Sequence, residues 1–215
     1  MTQGPGATEP RARRRTRSNG EQSRERILDA ATEVATERGY EGTTISLVSK
    51  KSGLPPTSIY WHFADKDDLI AAVIERSFGR WLAALDLPGG AMVRARVVEL
   101  GTQVAKALLD APDFIRLGLM LALERRPIEP RARAMFLEVR DRAFARFETM
   151  VRDVAPELDE ESVRLLTTYA IAGADGLFIA KEIGGDSVDL LKLFELHARL
   201  VFESATQLLG SGDLR

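Results

Sequence analysis

Helical periodicity of apolar residues, broken at intervals by proline and glycine, is the feature that most limits what this chain can fold into. In the segment SRERILDAATEVATERG the apolar residues fall on one stripe, formed by Ile27, Ala30, Ala31, Val34 and Ala35. Such a stripe is typical of an α-helix that buries one face. Similar stripes follow almost to the C-terminus, and no segment alternates apolar and polar residues as a half-buried strand does. The chain is therefore predicted to be all-α.

Capping and turn residues divide the first part of the chain into short helices. Gly39 can end the first helix in the left-handed conformation. Thr43 or Thr44 can cap a second helix that runs to about Ser52. Gly53 then allows a sharp turn.

Proline and glycine give the remaining boundaries. Pro55 and Pro56 suit the first turn of a third helix, because proline lacks the N–H group that this turn leaves unpaired. The other helices, about nine in all, are predicted at about 65–86, 91–110, 112–125, 130–154, 160–184 and 187–209.

Composition limits the class of protein further. The chain has 215 residues, a net charge of −2, no cysteine and two histidines, His62 and His197, which are far apart in sequence. Disulfides, thiolate zinc sites and histidine metal sites are therefore not expected, and no cofactor is predicted. No window approaches the roughly 18–20 uninterrupted apolar residues that a membrane span needs, and the polar N-terminus is no secretory signal. A cytoplasmic protein is predicted.

Charge is distributed unevenly along the chain. Residues 11–17, RARRRTR, contain five arginines and no acid. Residues 1–66 contain 11 basic and 8 acidic side chains, a net charge of +3, and the remainder contains 19 basic and 24 acidic ones, a net charge of −5. This pattern indicates that the front of the chain meets a polyanion. Residues 1–20 are predicted to be a disordered basic arm, which either contacts that partner or is only solvated.

The third helix contains the run Tyr60-Trp61-His62-Phe63 in a chain that is poor in aromatic residues. If the helix is turned by about 100° per residue with Ile59 inward, Phe63 is also buried. The opposite side then carries short hydroxyls and a ring, from Thr57, Ser58 and Trp61, with Tyr60 and His62 at the flanks. This face offers hydrogen-bonding groups and few charges, which suits base edges and phosphates.

A short helix, a glycine-containing turn and a second helix form the helix-turn-helix pattern, whose second helix enters the major groove of DNA. Lys66 adds a positive charge at the start of the fourth helix, where exposed N–H groups also favour a phosphate. The alternative is a helical hairpin whose aromatic side chains pack against the rest of the protein.

The segment ILDAATEVATERGYEGTTISLVSKKSGLPPTSIYWHFADKDDLIAAVI resembles the DNA-binding domain of the TetR family of bacterial repressors. The resemblance covers about residues 23–75, and its marks are Ile27-Leu28, Ala30-Ala31, Gly39, Thr43-Thr44, Gly53-Leu54, Ile59 to Phe63, Lys66 and Leu69. It implies a three-helix helix-turn-helix DNA-binding domain at residues 21–81, with its motif at about 44–63. A helical ligand-binding and dimerisation domain would follow at residues 82–215, where only the architecture and DGL at 175–177 match.

The resemblance also implies a mechanism and a set of DNA contacts. A homodimer would bind a palindromic operator and release it when a small-molecule effector shifts the fourth helix. The protein would act as a repressor, as members of this family usually do. The phosphate contacts would be Thr44, Tyr60 and Lys66, and the groove-facing residues Pro56, Thr57, Ser58, Trp61 and His62. A flexible arm would add Arg14, Arg15 and Arg17. Because Ser46 stands where the family often has arginine, base reading is expected to rest on Thr57 and Trp61.

The last two long helices are predicted to carry the dimer face, as half of a four-helix bundle. The residues expected there are Ala170, Gly173, Ala174, Leu177, Leu193, Leu196 and Leu200. The alternative is that these stripes are ordinary core. Asp175 is expected to cap or to form a hydrogen bond across the interface, and His197 to be partly exposed or at that interface.

The body also supplies large apolar and soft side chains that can line an effector pocket between helices. The predicted lining is Trp81, Met92, Phe114, Leu117, Met120, Leu121, Met135, Phe136, Phe144 and Phe178. Polar specificity would come from Arg116, Glu124 and Arg140 if they point inward. The same apolar side chains can instead simply fill the core.

Two other classes of function compete with a ligand-responsive DNA-binding regulator. One is an all-helical enzyme for a small apolar substrate, but no nucleophile motif, metal motif or glycine-rich phosphate loop is present, and no catalytic residue is predicted. The other is a helical adaptor, which the retained Thr57, Ser58, Tyr60 and Lys66 disfavour. The effector is expected to be apolar or amphipathic, and its identity stays open.

Overall fold

The structure is a computed structural model that describes residues 10–85, 94–124 and 130–211, with side chains described between residues 19 and 208 of these ranges. Within them the chain forms nine α-helices, one 3-10 turn at Gly185–Ser187 and no strand, which confirms the all-α prediction. The helices are α1 Pro10–Gly42, α2 Ile45–Ser52, α3 Pro56–His62, α4 Lys66–Ala83, α5 Arg94–Asp110, α6 Asp113–Leu123, α7 Arg131–Val154, α8 Glu160–Gly184 and α9 Leu190–Ser211.

The first helix is longer than predicted. It begins at Pro10, so residues 10–20, which were expected to be disordered, are helical. Proline suits the first helical position, and the arginines and alanine that follow have high helix propensity. Residues 1–9 of the predicted arm lie outside the described residues. So do Met92 and the side chains of Arg14, Arg15 and Arg17, and the predicted roles of these residues stay predictions.

The chain divides into two compact units. The first unit extends to Val73 and includes Pro130–Ala132, and the second contains Ile74–Glu129 and Arg133–Arg215. The predicted boundary at residue 81 therefore lies inside the second unit. Helix α4 contributes its first residues to one unit and its later residues to the other, and helix α7 does the same.

The first unit is built around the contacts of α1 with α2 and α3. Its core consists of apolar side chains from each helix, and those with no exposed surface include Ile27, Leu28, Val48, Ile59 and Leu69. These are the periodic positions of the sequence. Burial of one apolar stripe per helix is what holds three short helices together.

In the second unit, α9 packs along α5 and α8. Rings from α4 and α6 form a separate aromatic cluster, in which the Trp81 centroid lies 5.6 Å from that of Phe78 and 5.4 Å from that of Phe114. The backbone N–H of Phe114 donates a hydrogen bond to the buried Ser77 hydroxyl at 3.2 Å. These contacts hold the Trp81 indole in one orientation.

Residues Glu160–Ser187 are long and apolar enough to cross a membrane by length and composition alone. The apolar residues of this segment are interrupted by polar ones, so the prediction that no uninterrupted apolar run of that length occurs is unaffected. Helix α8 nevertheless carries Asp175, which pairs with an arginine, and it packs against α9 within its own unit. We treat it as a packed helix with one uncovered face.

Candidate nucleic-acid interface and ligand cavity

The start of helix α2 is fixed by two adjacent threonines with different tasks. Thr44 is the N-cap, and its hydroxyl oxygen accepts a hydrogen bond from the Leu47 N–H at 3.2 Å. Thr43 is fully buried and donates its hydroxyl to the carbonyl of Gly39 at 2.8 Å. Gly39 has a φ of 68°, as expected of the residue that ends the preceding helical stretch. Thr44 is exposed, so its hydroxyl hydrogen can still be donated to a phosphate.

The turn between α2 and α3 is held on both sides. Gly53 has a φ of 67°, a conformation that favours glycine, and its N–H donates to the Ser49 carbonyl at 3.0 Å. The Ser49 hydroxyl donates to the carbonyl of Leu54 at 2.7 Å. From α1, the Arg26 guanidinium donates to the Ser52 carbonyl at 2.7 Å. These bonds satisfy carbonyls at the end of α2 and set the direction in which α3 leaves the turn.

Helix α3 has the orientation predicted from its sequence. Ile59 is fully buried and Phe63 is 3% exposed, whereas Tyr60 is 55% and Trp61 79% exposed. Pro56 and Thr57 are also exposed, and Ser58 and His62 are half-buried. The predicted groove-facing residues therefore share one accessible helix face, with an exposed indole as its largest group.

Contacts from α1 support this exposed face. The Arg24 guanidinium carbon lies 5.5 Å from the Phe63 ring centroid, and a Cβ placed on Gly20 would lie 4.0 Å from the Trp61 ring.

Burial, and secondarily the charge of Arg24, lowers the pKa of His62 below its ordinary value of 6.5. The neutral form of the His62 imidazole is therefore favoured, and a neutral imidazole can accept a hydrogen bond. Sequence reasoning missed Arg24, because its position beside α3 depends on how the helices pack.

Lys66 is engaged in a way that the sequence did not predict. Its ammonium donates to the Tyr40 carbonyl at 3.2 Å, lies 3.6 Å from a Glu41 carboxylate oxygen and sits 4.2 Å from the Tyr40 ring centroid. It therefore ties the start of α4 to the end of α1. A contact with phosphate stays a prediction, and replacing Lys66 would also disturb this junction.

Three aspartates organise the beginning of α4. Asp65 accepts a hydrogen bond from the Asp68 N–H at 2.8 Å, and Asp68 accepts one from the Ala64 N–H at 3.0 Å. Asp67 instead accepts from the Tyr40 hydroxyl at 2.9 Å and from the backbone N–H groups of Arg131 and Ala132, the latter at 3.1 Å. Asp67 thus caps the N-terminus of α7, and this contact belongs to the first unit.

The small residues predicted on the dimer face of α8 contact α9 of the same chain or line its interior, and their role at an interface stays a prediction. A Cβ on Gly173 would lie 2.3 Å from the His197 ring, so Gly173 permits close approach of α9 in the same chain. The His197 Nε2 lies 2.8 Å from the Ala170 carbonyl and must donate to it, because the carbonyl only accepts. Ala174 lines the interior of the same unit. These residues are internal because small side chains allow two helices to approach closely.

The apolar surface of α8 lies on its other face. There the exposed residues recur at alternating intervals of four and three, as in a coiled-coil seam, and comprise Leu165, Tyr169, Ala172, Gly176, Ile179 and Ile183. We call this set the α8 stripe. Ile183 is 82% and Leu165 is 61% exposed. On α9, the predicted residues Leu196 and Leu200 are exposed, while Leu193 and α8 Leu177 are half-buried.

Two adjacent cavities lie inside the second unit. The first has a volume of about 90 Å³ and an almost wholly apolar lining from α5, α7, α8 and α9, which includes Phe147, Phe194 and His197. The second, of about 40 Å³, is lined by Trp81, Phe114, Arg140 and Asp175 among others. Val104, Phe147 and Ala174 line both cavities, so the two adjoin.

The predicted pocket residues fall into two groups. Trp81 and Phe114 line the second cavity, as does the predicted polar residue Arg140. The other predicted residues that the structure describes line neither cavity. The core contains four of them, Leu117, Leu121, Phe136 and Phe178. Met120 is 52% exposed, and two are half-buried, Met135 and Phe144.

Arginine–carboxylate pairs account for the charged candidates. Arg140 donates two hydrogen bonds to Asp175, at 2.7 and 2.6 Å, and both side chains are largely buried. Asp175 therefore has an internal partner, contrary to its expected place at an interface. Arg116 pairs in the same bidentate way with Glu182, at 2.8 and 2.9 Å. Glu124 is exposed.

Comparisons with known proteins agree with this geometry. A sequence model of bacterial regulatory proteins of the tetR family matches residues 27–73. The HTH-type transcriptional regulator AcrR of Shigella flexneri is 34% identical over 64 residues, which cover 30% of each chain. An HTH-type transcriptional repressor of Mycobacterium tuberculosis is 27% identical over 137 residues, 64% of this chain and 51% of its own. The chain thus spans about a third to a half of these relatives.

Solved structures extend the likeness to the whole fold. The fatty acid degradation regulator FadR from Bacillus halodurans superposes with a TM-score of 0.67 at 19% identity, over 83% of this chain and 94% of its own. At this identity the likeness concerns the fold alone. The family-specific match coincides with α1 to α4, the helices that form and support the exposed α3 face. Residues 27–73, which span most of these four helices, are therefore similar to the bacterial regulatory proteins of the tetR family.

Proposed function

We propose that the protein is a transcriptional regulator that binds a two-fold-symmetric DNA operator as a homodimer and releases it when a small, mainly apolar effector binds the second unit. The observation that carries this proposal is the exposed face of α3, presented by a fixed helix-turn-helix. A bacterial, cytoplasmic location and action as a repressor are part of the proposal.

The DNA-facing surface would combine two kinds of contact. Thr57, Trp61 and His62 would face the groove, where the threonine hydroxyl and the neutral imidazole can form hydrogen bonds with base edges. Thr44 and Tyr60 would hold phosphates at the two sides of the motif. Arg24 lies next to α3 and extends this set with a cation that the sequence analysis did not include.

The α8 stripe supports assembly with a second copy. A single recognition helix reads few base pairs, so helix-turn-helix proteins bind two half-sites about one helical turn apart. An exposed stripe of leucine, tyrosine and isoleucine on α8, with Leu196 and Leu200 on α9, is a surface that a soluble protein normally covers. Two such helices from each subunit would form a four-helix interface.

The effector would act through the helices that belong to both units. Helix α4 carries Lys66 in the first unit and the cavity residue Trp81 in the second. Helix α7 begins at the Asp67 cap in the first unit and carries Arg140 in the cavity lining. A ligand that binds one arrangement of these helices more tightly would shift the population toward it and change operator affinity.

Selection of binding sites from a random duplex library with the purified protein tests the proposal. The expected result is a two-fold-symmetric site whose half-sites are about one helical turn apart, or a small multiple of that spacing. Enrichment of no sequence, or of an asymmetric single half-site, would contradict the proposed homodimeric regulator.

A further inference from the structure

The two adjoining cavities of the second unit differ in polarity. The lining of the larger one is apolar apart from His197. Helix α9 contributes Phe194, Val201 and Phe202 to this lining. The lining of the smaller one contains Arg140 and Asp175 together with Trp81, and neither lining contains another lysine, arginine, aspartate or glutamate. Together they form a mainly apolar space in which the arginine and the aspartate belong to the smaller cavity.

Trp81, in the lining of the smaller cavity, has an unused hydrogen-bond donor. The residue is 5% exposed, and its indole Nε1 is buried with no hydrogen-bond partner among the residues that the structure describes. Phe78 and Phe114 pack against the ring at centroid distances of 5.6 and 5.4 Å, so the indole cannot easily turn to find one. A buried donor without an acceptor is unfavourable, and a ligand oxygen would remove that penalty.

The charges in this lining restrict the ligand further. Arg140 and Asp175 already satisfy each other through two hydrogen bonds, so the pair has no net charge. A carboxylate ligand would have to displace Asp175 from Arg140 or lie beside its negative charge. An ammonium ligand would meet the Arg140 cation and could not accept from the indole N–H. An uncharged oxygen acceptor faces neither conflict.

We propose that this space binds an uncharged, elongated apolar molecule with one carbonyl oxygen at its end, and that the Trp81 Nε1–H donates a hydrogen bond to that oxygen. The chemical class comprises ketones, esters and amides with an aliphatic chain. This inference rests on the part of the proposed function that places an effector in the second unit, and it names the chemistry of that effector.

Isothermal titration calorimetry of the full-length protein with 2-octanone, octanoate and octylamine tests the inference. The three probes share a chain length and differ in the charge of the head group. The wild-type protein is expected to bind 2-octanone most tightly. Tighter binding of octanoate or octylamine, or no binding of 2-octanone, would overturn the proposal.

The Trp81→Phe variant tests the hydrogen bond, because it removes the N–H and keeps an aromatic ring. Its affinity for 2-octanone should fall roughly fivefold to tenfold. Leu109→Ala is the control, since it changes an exposed leucine of α5 that lines neither cavity, and its affinity should equal that of the wild type. Equal affinities of Trp81→Phe and Leu109→Ala would overturn the role of Trp81.

A second pair of variants covers the case in which Trp81→Phe does not fold, which circular dichroism would reveal. Ala174→Leu fills the junction of the two cavities and should abolish 2-octanone binding, whereas Ala145→Leu at an exposed position of α7 should leave it intact. Undiminished binding to Ala174→Leu would overturn the site. These titrations contain no DNA, so failure of operator binding in a separate assay would count against the regulator and not against this cavity.

Discussion

The side chains of α3 differ in exposure, and this difference separates the residues proposed to read DNA from those that hold the fold. Ile59 and Phe63 are buried and hold the helix in place, while Thr57 and Trp61 make little contact that the fold requires. Helical periodicity was enough to predict this division, because the helix is short and only one of its faces carries Ile59. The pairing of Arg140 with Asp175 could not be predicted, because it joins two helices 35 positions apart in the sequence.

The Thr57→Ala variant should lose discrimination at one base pair of the operator. Removal of a hydrogen bond to a base edge costs on the order of 1–3 kcal/mol at that position and leaves binding to unrelated DNA nearly unchanged. Affinities for operators with single base-pair changes measure this effect. Thr168→Ala, at an exposed threonine of α8, is the control and should behave as the wild type. If Thr57→Ala lowered affinity for every duplex equally, Thr57 would not read a base.

His62 should make the first unit less stable as the pH falls. Its pKa is lowered in the folded state by burial and then by Arg24, so the unfolded chain binds the proton at higher pH than the folded one. This contribution to stability is fully present above pH 6.5 and is lost as the pH falls through the folded-state pKa. Urea unfolding of the wild type and His62→Gln at about pH 7.5 and about pH 5.5 isolates it. An identical pH dependence of the two proteins would contradict the assignment.

At the level of elements, the order and type of the helices could be predicted and their packing faces only in part. Stripes such as Ile27 to Ala35 have a single apolar face, and the structure buries that face. Helix α8 has apolar residues on two faces, with Leu166 and Phe178 buried and Leu165 and Ile179 exposed. Periodicity cannot rank two such faces, because the choice depends on which one α9 covers.

The cap that Asp67 forms on α7 should be measurable as stability. Asp67→Asn keeps one oxygen and replaces the other with an N–H group that faces the N-terminal N–H groups of α7, so it should lower the free energy of unfolding by about 1–2 kcal/mol. Urea denaturation followed by circular dichroism gives this value. Asp110→Asn, at an exposed aspartate, serves as the control and should change it little. Equal stability of the two variants would mean that Asp67 does not hold α7.

For the whole molecule, the main expectation is that DNA binding requires two copies of the chain. The α8 stripe supplies an apolar surface that the single chain leaves uncovered. The sequence indicated that the last two helices form the interface, but it selected the small residues Gly173 and Ala174, which are internal. The larger exposed residues of the same helix are now the expected contacts.

The Ile183→Glu variant should dissociate the dimer. Burying a carboxylate in an apolar interface is strongly unfavourable, and loss of the second recognition helix should weaken operator binding by at least about tenfold. Analytical ultracentrifugation measures the first effect and fluorescence anisotropy the second. Leu137→Glu, at an exposed leucine of α7, is the matched control. A variant that stays dimeric would show that the α8 stripe is not the interface.

Operator binding by the wild-type protein tests the central claim most directly. Fluorescence anisotropy would compare a duplex from upstream of its own gene, or the site selected from the library, with a scrambled duplex of equal composition at two salt concentrations. The proposed regulator should prefer the operator by at least about a thousandfold, and its affinity for both duplexes should fall as salt rises. Equal affinity for operator and scrambled DNA at both salt concentrations would contradict the account.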